Sequence, residues 1–357
     1  MVVVGAPWVN GGLAALGGAL ERALAGGDPL LCEGWPPEVA PLPGTAVGVL
    51  TSGSTGPPRG VCLGAKAIAS SVEASRRRLG VEGRWLLALP THRIAGLNVV
   101  IRSLAAGHLP QPLPPGPFTP AAFLAALAQP GPAPRLTSLV PTQLIRLMTD
   151  DDASRALTRF DAVLLGGAAP PPDLVARARA WGIRVVETYG MAETCGGCVY
   201  DGRPLDGVRV RISHHGQIQL STPTLALGYP PHHWFTTQDL GHMTEDGSLV
   251  VDGRADTALT TGGITVHPER IEAVLAEAKG VAQVVVVGVP DPEWGTELIA
   301  LVEPLPGHRP EGEAIRQAAR AQLDAAHTPR RVVIVRNMPL LPSGKPDRVA
   351  ALAQATR

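Results

Sequence analysis

The stretch Thr51-Ser-Gly-Ser-Thr-Gly-Pro-Pro-Arg-Gly60 follows an apolar run at residues 45–50 that reads as a strand. Its three glycines make the backbone permissive, and the hydroxyls of Thr51, Ser52, Ser54 and Thr55 surround Gly53 and Gly56. Such a loop can turn several backbone N–H groups onto the oxygens of one phosphate, with Arg59 adding a cation. It is not a Walker A loop: Gly48 and Gly53 have that spacing, but Ser54 follows and no lysine does. Gly/Ser/Thr clusters also serve as plain linkers from strand to helix, so the loop alone leaves both readings open.

Outward from the loop, strand and helix signals alternate. Helical patterns are expected at residues 11–25, 66–79, 97–106, 120–128, 142–148 and 172–180, and strands at 85–89, 138–140, 161–165 and 184–187. Repeated strand-then-helix units imply an α/β domain with parallel sheets covered by helices. Near residue 205 the pattern changes to short strands at 208–212, 217–220 and 248–251, a small β-rich subdomain at about 205–254. A compact α+β run then fills 255–357, with helices expected at 268–278 and 313–325 and strands at 282–287, 297–302 and 331–335. The boundary between the 1–254 and 255–357 domains is expected near 253–257.

The 357 residues include 41 glycines and 36 prolines, and the formal net charge is zero. A neutral chain gives no bulk electrostatic case for nucleic acid or an anionic membrane as partner. Nine prolines between Pro110 and Pro134 break the uncharged stretch between Arg102 and Arg135, so no bilayer span is expected there. The uncharged stretch at residues 1–20 contains Pro7, Asn10 and several glycines and lacks a basic start, so it reads neither as a span nor as a signal peptide. Four cysteines, Cys32, Cys62, Cys195 and Cys198, fit a reduced cytoplasm, and Cys195-Gly-Gly-Cys198 has no second pair to complete a zinc site. Only three lysines occur, Lys66, Lys279 and Lys345; the other cations are arginines. Lys66 and Lys279 read as surface residues.

Four further motifs carry chemistry. Glu187-Thr-Tyr-Gly-Met-Ala-Glu-Thr194 sets an aromatic able to stack on a purine beside a glycine, a carboxylate and a hydroxyl. Thr236-Thr-Gln-Asp239 offers a carboxylate suited to the two hydroxyls of a ribose, and Gly253-Arg-Ala-Asp256 stands at the expected boundary. Leu341-Pro-Ser-Gly-Lys345 places a lysine in a Pro/Gly loop near the C-terminus.

Taken in order, these motifs resemble the adenylate-forming superfamily of acyl- and aryl-CoA ligases, luciferases and peptide-synthetase adenylation domains. The resemblance runs from about residue 45 to 346 and implies a large N-terminal domain and a small mobile C-terminal one. It implies that Thr51, Ser52, Gly53, Ser54, Thr55 and Gly56 close on the ATP phosphates, with Arg59 where relatives usually carry lysine. Gly166, Gly167 and Ala168 would pass the adenine and the substrate; Tyr189 would lie on the adenine, and Gly190 and Met191 would also belong to the ATP/AMP site. Glu193 would hold Mg²⁺, Thr194 would touch the α-phosphate, and Asp239, supported by Arg254, would bind the ribose. Asp256 takes the hinge position, Gly262 and Gly263 the CoA side, and Lys345 the place of the lysine that bridges carboxylate and α-phosphate.

Within the superfamily, Ser138-Leu-Val-Pro-Thr-Gln-Leu144 and Leu89-Pro-Thr-His-Arg-Ile-Ala-Gly-Leu97 resemble segments of o-succinylbenzoate–CoA ligases of menaquinone synthesis, in a short form. The substrate-side residues would be Thr142, Gly167 and one of two neighbours. The family histidine falls where Arg93 stands and His92 is one place early, so either Arg93 supplies a cation or His92 acts through a shifted turn. The implied activity is AMP-forming ligation of o-succinylbenzoate to CoA with ATP and Mg²⁺. A related aryl- or fatty-acid ligase, a carrier-loading adenylation domain and a non-catalytic nucleotide-binding relative are the alternatives. The expected partners are small-molecule substrates, with a homodimer as the expected assembly.

Overall fold

In the computed structural model the described residues are 2–4, 12–51, 59–229, 233–341 and 346–356. The apolar run ahead of the loop forms the strand Thr45–Thr51, and the chain returns as Arg59–Gly64 in antiparallel register, with Thr51 opposite Arg59. The loop therefore joins strand to strand, which corrects the expected strand-to-helix linker. The helix Ala65–Leu79 begins only after the second strand and stops at Gly80, whose φ of 65° lets its N–H turn back to the Arg76 carbonyl. Gly48 and Gly60 lie on the paired strands, and a Cβ on either would meet the Trp35 ring at 2.7 Å. Their missing side chains seat that indole. The strands Val2–Val4 and Leu30–Cys32 complete a four-stranded sheet, its first three strands parallel.

A seven-stranded sheet forms the centre of the N-terminal region. Its order is Arg203–Pro204, Gly196–Tyr200, Val185–Met191, Ala162–Leu165, Leu136–Leu139, Trp85–Leu87, Gln111–Pro112. Five strands are parallel, as the alternating pattern implies, and the first two are antiparallel additions at one edge. Leu136, Val163, Leu164 and Leu165 are buried, and the helices Ile94–Ala105 and Pro141–Met148 cover the sheet. Each such leucine or valine contributes roughly 1.5–3 kcal/mol through removal from water. The helix Asp151–Leu157, capped by Asp150 through the Ala153 N–H, was not expected from the sequence.

The β-rich subdomain is an antiparallel sheet of Arg209–Ile212, Gln217–Ser221, Phe235–Met243 and Leu249–Arg254. Phe235–Met243, which carries Asp239, was missed because it mixes threonine, aspartate, glycine and histidine with few apolar residues. The C-terminal region pairs Leu259–Thr261 with Ile264–Val266 and builds a three-stranded sheet from Val281–Asp291, Gly295–Pro304 and Arg331–Ile334. The helices Pro268–Ala276, Gly312–Arg320 and Arg348–Ala355 pack there, the α+β pattern expected. No helix among the described residues is long and apolar enough to cross a membrane.

Candidate active site

The carboxyl ends of neighbouring parallel strands are where α/β sheets bind ligands, because the loops that leave them diverge and open a crevice. Here those ends carry nine of the sequence-predicted residues. Trp85–Leu87 leads to Thr91-His-Arg93, and Leu136–Leu139 leads to Thr142. Ala162–Leu165 leads to Gly166-Gly-Ala168, and Val185–Met191 ends in Tyr189-Gly-Met. Two bonds tie these loops together: Gln143 Nε2 donates to the Ala88 carbonyl at 2.9 Å, and Thr188 Oγ1 to the Leu165 carbonyl at 3.2 Å. A Cβ on Gly166 would sit 2.3 Å from Thr188 Oγ1, so only glycine lets the two loops lie side by side.

The nucleotide-side residues form one polar chain. Tyr189 donates its hydroxyl to Asp239 Oδ2 at 2.8 Å, and Arg254 Nη1 donates to Asp239 Oδ1 at 3.1 Å. Arg254 also grips Asp256 with two bonds, Nε at 2.8 Å and Nη2 at 2.6 Å. Asp239 is 9 % exposed, and the Thr237 hydroxyl accepts its backbone N–H at 3.0 Å. Burial, followed by the Asp239 charge, raises the Tyr189 phenol far above its ordinary value, so it remains a donor. The expected adenine, ribose and hinge residues thus meet, with Asp256 at the end of the chain.

The turn Ala192–Thr194 aims Glu193. Thr194 is fully buried; its Oγ1 accepts the Met191 N–H at 3.0 Å and lies 2.8 Å from the Gly196 carbonyl, to which it can donate. The hydroxyl expected on the α-phosphate is therefore spent on the backbone, and in this arrangement Thr194 holds the turn instead. Asn98 and Ser71, from two helices, both donate to the Cys195 carbonyl, at 2.8 and 3.3 Å. Burial pushes the Cys195 and Cys198 thiols up to about 12, so both are packing residues, and no group of metal ligands occurs among the described residues. Glu193 is half-buried; burial first, and then the Glu193 charge against that of Arg59, raises the Tyr229 phenol above its ordinary value. A single carboxylate suits Mg²⁺, which keeps several waters and takes its remaining oxygens from phosphates.

In the loop expected on the substrate side, three adjacent residues present buried polar atoms without hydrogen-bond partners among the described residues: Thr91 Oγ1, His92 Nδ1 and Arg93 Nε. Arg93 Nη1 donates to the Leu50 carbonyl at 3.1 Å, tying this loop to the strand that leads into the phosphate loop. Burial and then the neighbouring Arg93 hold the His92 imidazole below its ordinary value. Thr91 was missed from sequence; a threonine after proline in a turn carries no signal of its own. Arg102, in the last turn of the helix Ile94–Ala105, likewise keeps Nε and Nη2 unpartnered among the described residues, its guanidinium carbon 5.7 Å from the Trp85 ring centroid.

Arg59 is exposed at the start of its strand, and Gly262 and Gly263 make the tight turn between Leu259–Thr261 and Ile264–Val266. Ser52, Gly53, Ser54, Thr55, Gly56 and Lys345 lie outside the described residues. The two ends of the Lys345 loop meet at the Leu340–Pro346 bridge, and the Asp347 N–H donates to the Pro339 carbonyl at 2.9 Å.

The carboxyl edge of the central sheet thus meets two others: Tyr189 bonds Asp239 of the β-rich sheet, and Arg93 bonds the Leu50 carbonyl of the hairpin Thr45–Thr51/Arg59–Gly64. Residues 23–229 match the AMP-binding enzyme family and residues 270–345 match the AMP-binding enzyme C-terminal domain. The chain belongs to the AMP-binding enzyme family. It is 41 % identical over 355 residues to a probable 2-succinylbenzoate–CoA ligase of Mycobacterium tuberculosis, covering 93 % of each chain. It is 30 % identical over 325 residues to a 2-succinylbenzoate–CoA ligase of Geobacillus sp., covering 81 % of this chain and 65 % of the relative. Among solved structures, the amide bond synthetase McbA of Marinactinospora thermotolerans superposes with a TM-score of 0.77 at 28 % identity, over 96 % of this chain and 78 % of that one. The o-succinylbenzoate CoA synthetase of Bacillus subtilis, solved with its acyl-adenylate intermediate, gives 0.75 at 23 % identity, over 94 % and 80 %, and shares the fold.

Proposed function

We propose that the chain is an AMP-forming acid–CoA ligase that activates o-succinylbenzoate with ATP and passes it to CoA, in the cytoplasm and for menaquinone biosynthesis. The observation that carries the reading is the set of unpartnered polar atoms at Thr91, His92 and Arg93, at the carboxyl end of the same central sheet whose Tyr189 bonds Asp239 of the β-rich sheet. A dicarboxylate acid needs a cation and hydroxyl or imidazole donors for its oxygens, and this loop supplies them. The name borne by the Mycobacterium relative supports the same substrate.

A carboxylate resists nucleophiles because its own negative charge repels them. Attack by the carboxylate on the α-phosphate of ATP makes a mixed anhydride and expels pyrophosphate; the CoA thiolate then displaces AMP. The first step brings two anions together, so aligned donors and cations at the developing charge dominate it. Arg59 and Lys345 would supply those cations, and Asp239 would fix the ribose through two oxygens already oriented by Tyr189 and Arg254. Mg²⁺ held by Glu193 would offset charge on the phosphate oxygens. The 255–357 domain would turn about Asp256 between the steps, withdrawing Lys345 and bringing Gly262 and Gly263 to the thiol arm.

Acid-dependent ATP–pyrophosphate exchange tests the activation step. Exchange that requires o-succinylbenzoate supports the reading; exchange that is absent with every acid supplied contradicts it.

A further inference from the structure

The segment that carries Lys345 has two described feet. On the near side the Met338 N–H donates to Glu303 Oε2 at 2.6 Å, and Leu340 pairs with Pro346. On the far side Asp347 caps the helix Arg348–Ala355, its carboxylate accepting the Ala350 N–H at 3.0 Å. Three peptide units separate Lys345 from Arg348, so their Cα atoms stand no more than about 11 Å apart. Whatever fixes Arg348 therefore limits where the lysine can go.

Arg348 is held on several sides. Its Nη1 and Nη2 donate to the two oxygens of Glu272 at 2.7 and 3.0 Å, a fork on a carboxylate. Nη1 also reaches the Val286 carbonyl at 2.8 Å, and Nη2 reaches Glu269 Oε1 at 3.2 Å. Both carboxylates are themselves fixed. Glu272 Oε1 accepts the Val286 N–H at 2.7 Å, and Glu269 Oε1 accepts the Thr257 hydroxyl at 2.8 Å. That hydroxyl also lies 3.2 Å from the Arg254 carbonyl, on the other side of Asp256. One guanidinium thus ties the foot of the lysine segment to the strand Val281–Asp291, to the helix Pro268–Ala276 and to the residue that follows Asp256. The Arg348, Glu269 and Glu272 side chains are 27, 20 and 16 % exposed. An ion pair largely out of water adds little net stability, so its main yield here is a fixed geometry.

We propose that Arg348 is a positioning residue for the activation step: clamped by Glu272 and Glu269, it sets the reach of Lys345 to the carboxylate and the α-phosphate. This rests on the reading of Lys345 as the bridging cation. Arg348 acts through the lysine, so the half-reaction that uses the lysine is the one that feels its loss. A reacting group displaced by about an ångström loses up to about a hundredfold in rate.

Two variants test this. Arg348→Lys keeps the charge and loses the fork, and Glu272→Gln loosens the same clamp from the other side. Each should lower kcat for acid-dependent pyrophosphate exchange by about tenfold to a hundredfold, with KM for ATP unchanged. Thioester formation from preformed o-succinylbenzoyl-AMP should stay at the wild-type rate. In a Lys345→Ala background, Arg348→Lys should add no further loss of exchange, because both changes act through one amine. Equal loss of both half-reactions, wild-type exchange in either variant, or a full additional loss in the Lys345→Ala background overturns the proposal. Wild-type exchange by Lys345→Ala itself would remove the lysine reading beneath it, and the proposal with it.

Discussion

Asp239 has little freedom: it is nearly buried and both oxygens are engaged, one by Tyr189 and one by Arg254. Asp239→Asn keeps the shape and removes the charge. Its expected effect is a KM for ATP raised about 10- to 100-fold, the loss of charge-assisted bonds worth about 1.5–3 kcal/mol. Initial-rate exchange against ATP concentration measures it, and an unchanged KM argues against a ribose role. His92 gives a pH dependence. Its folded value lies below its ordinary one, about 6.5, so the unfolded chain binds the proton more readily. The stability from this group is complete above about pH 6.5 and is lost as pH falls below it. Urea unfolding across pH 5 to 8 should show a slope below 6.5 that His92→Gln flattens; equal slopes in both proteins contradict the assignment. At this scale the sequence was a good guide to which side chains matter and a poor one to their bonds. A lone carboxylate in Thr-Thr-Gln-Asp stands out, but its pairing with Tyr189, fifty positions away, depends on two sheets meeting. Thr194 illustrates the converse, since its hydroxyl is visible in the motif and its burial is not.

Elements were legible where an apolar run or a cap announces them, and hidden where register decides. The helix Ala65–Leu79 ends at a glycine that the sequence marks, and the helix Pro172–Ala180 matches its expected bounds. The return strand Arg59–Gly64 could not be read because six residues beginning Arg-Gly resemble the end of a loop. The strand Val185–Met191 runs further than expected, through Tyr189-Gly-Met, because Gly196–Tyr200 pairs with it. Gly190 is the position that allows this pairing: a Cβ there would lie 2.1 Å from the Gly196 carbonyl oxygen, which is backbone and cannot step aside. Gly190→Ala should cost about 3 kcal/mol or more and remove activity together with stability. Thermal melting beside an activity assay checks this; a stable, active variant would show that the strand pair tolerates separation.

The whole molecule joins a sheet edge that activates an acid to a C-terminal α+β domain that carries Lys345. The change in strand spacing near residue 205 and the glycine–arginine motif near 253 carry the expected boundaries, and the family matches at 23–229 and 270–345 fall on either side of that motif. The scarcity of lysine sharpens one expectation: among three lysines, Lys345 alone sits in a motif, while Lys66 and Lys279 are exposed on the surface. Lys345→Ala should abolish pyrophosphate exchange, by about a hundredfold or more as for loss of one preorganised donor. It should preserve thioester formation from preformed o-succinylbenzoyl-AMP, and equal loss of both half-reactions contradicts domain rotation. The most direct test of the account as a whole is product formation with ATP, Mg²⁺ and CoA across o-succinylbenzoate, benzoate and a medium-chain fatty acid. The account predicts AMP and a CoA thioester from o-succinylbenzoate. Thioester from only the other two acids, or no AMP release with any of the three, would contradict it.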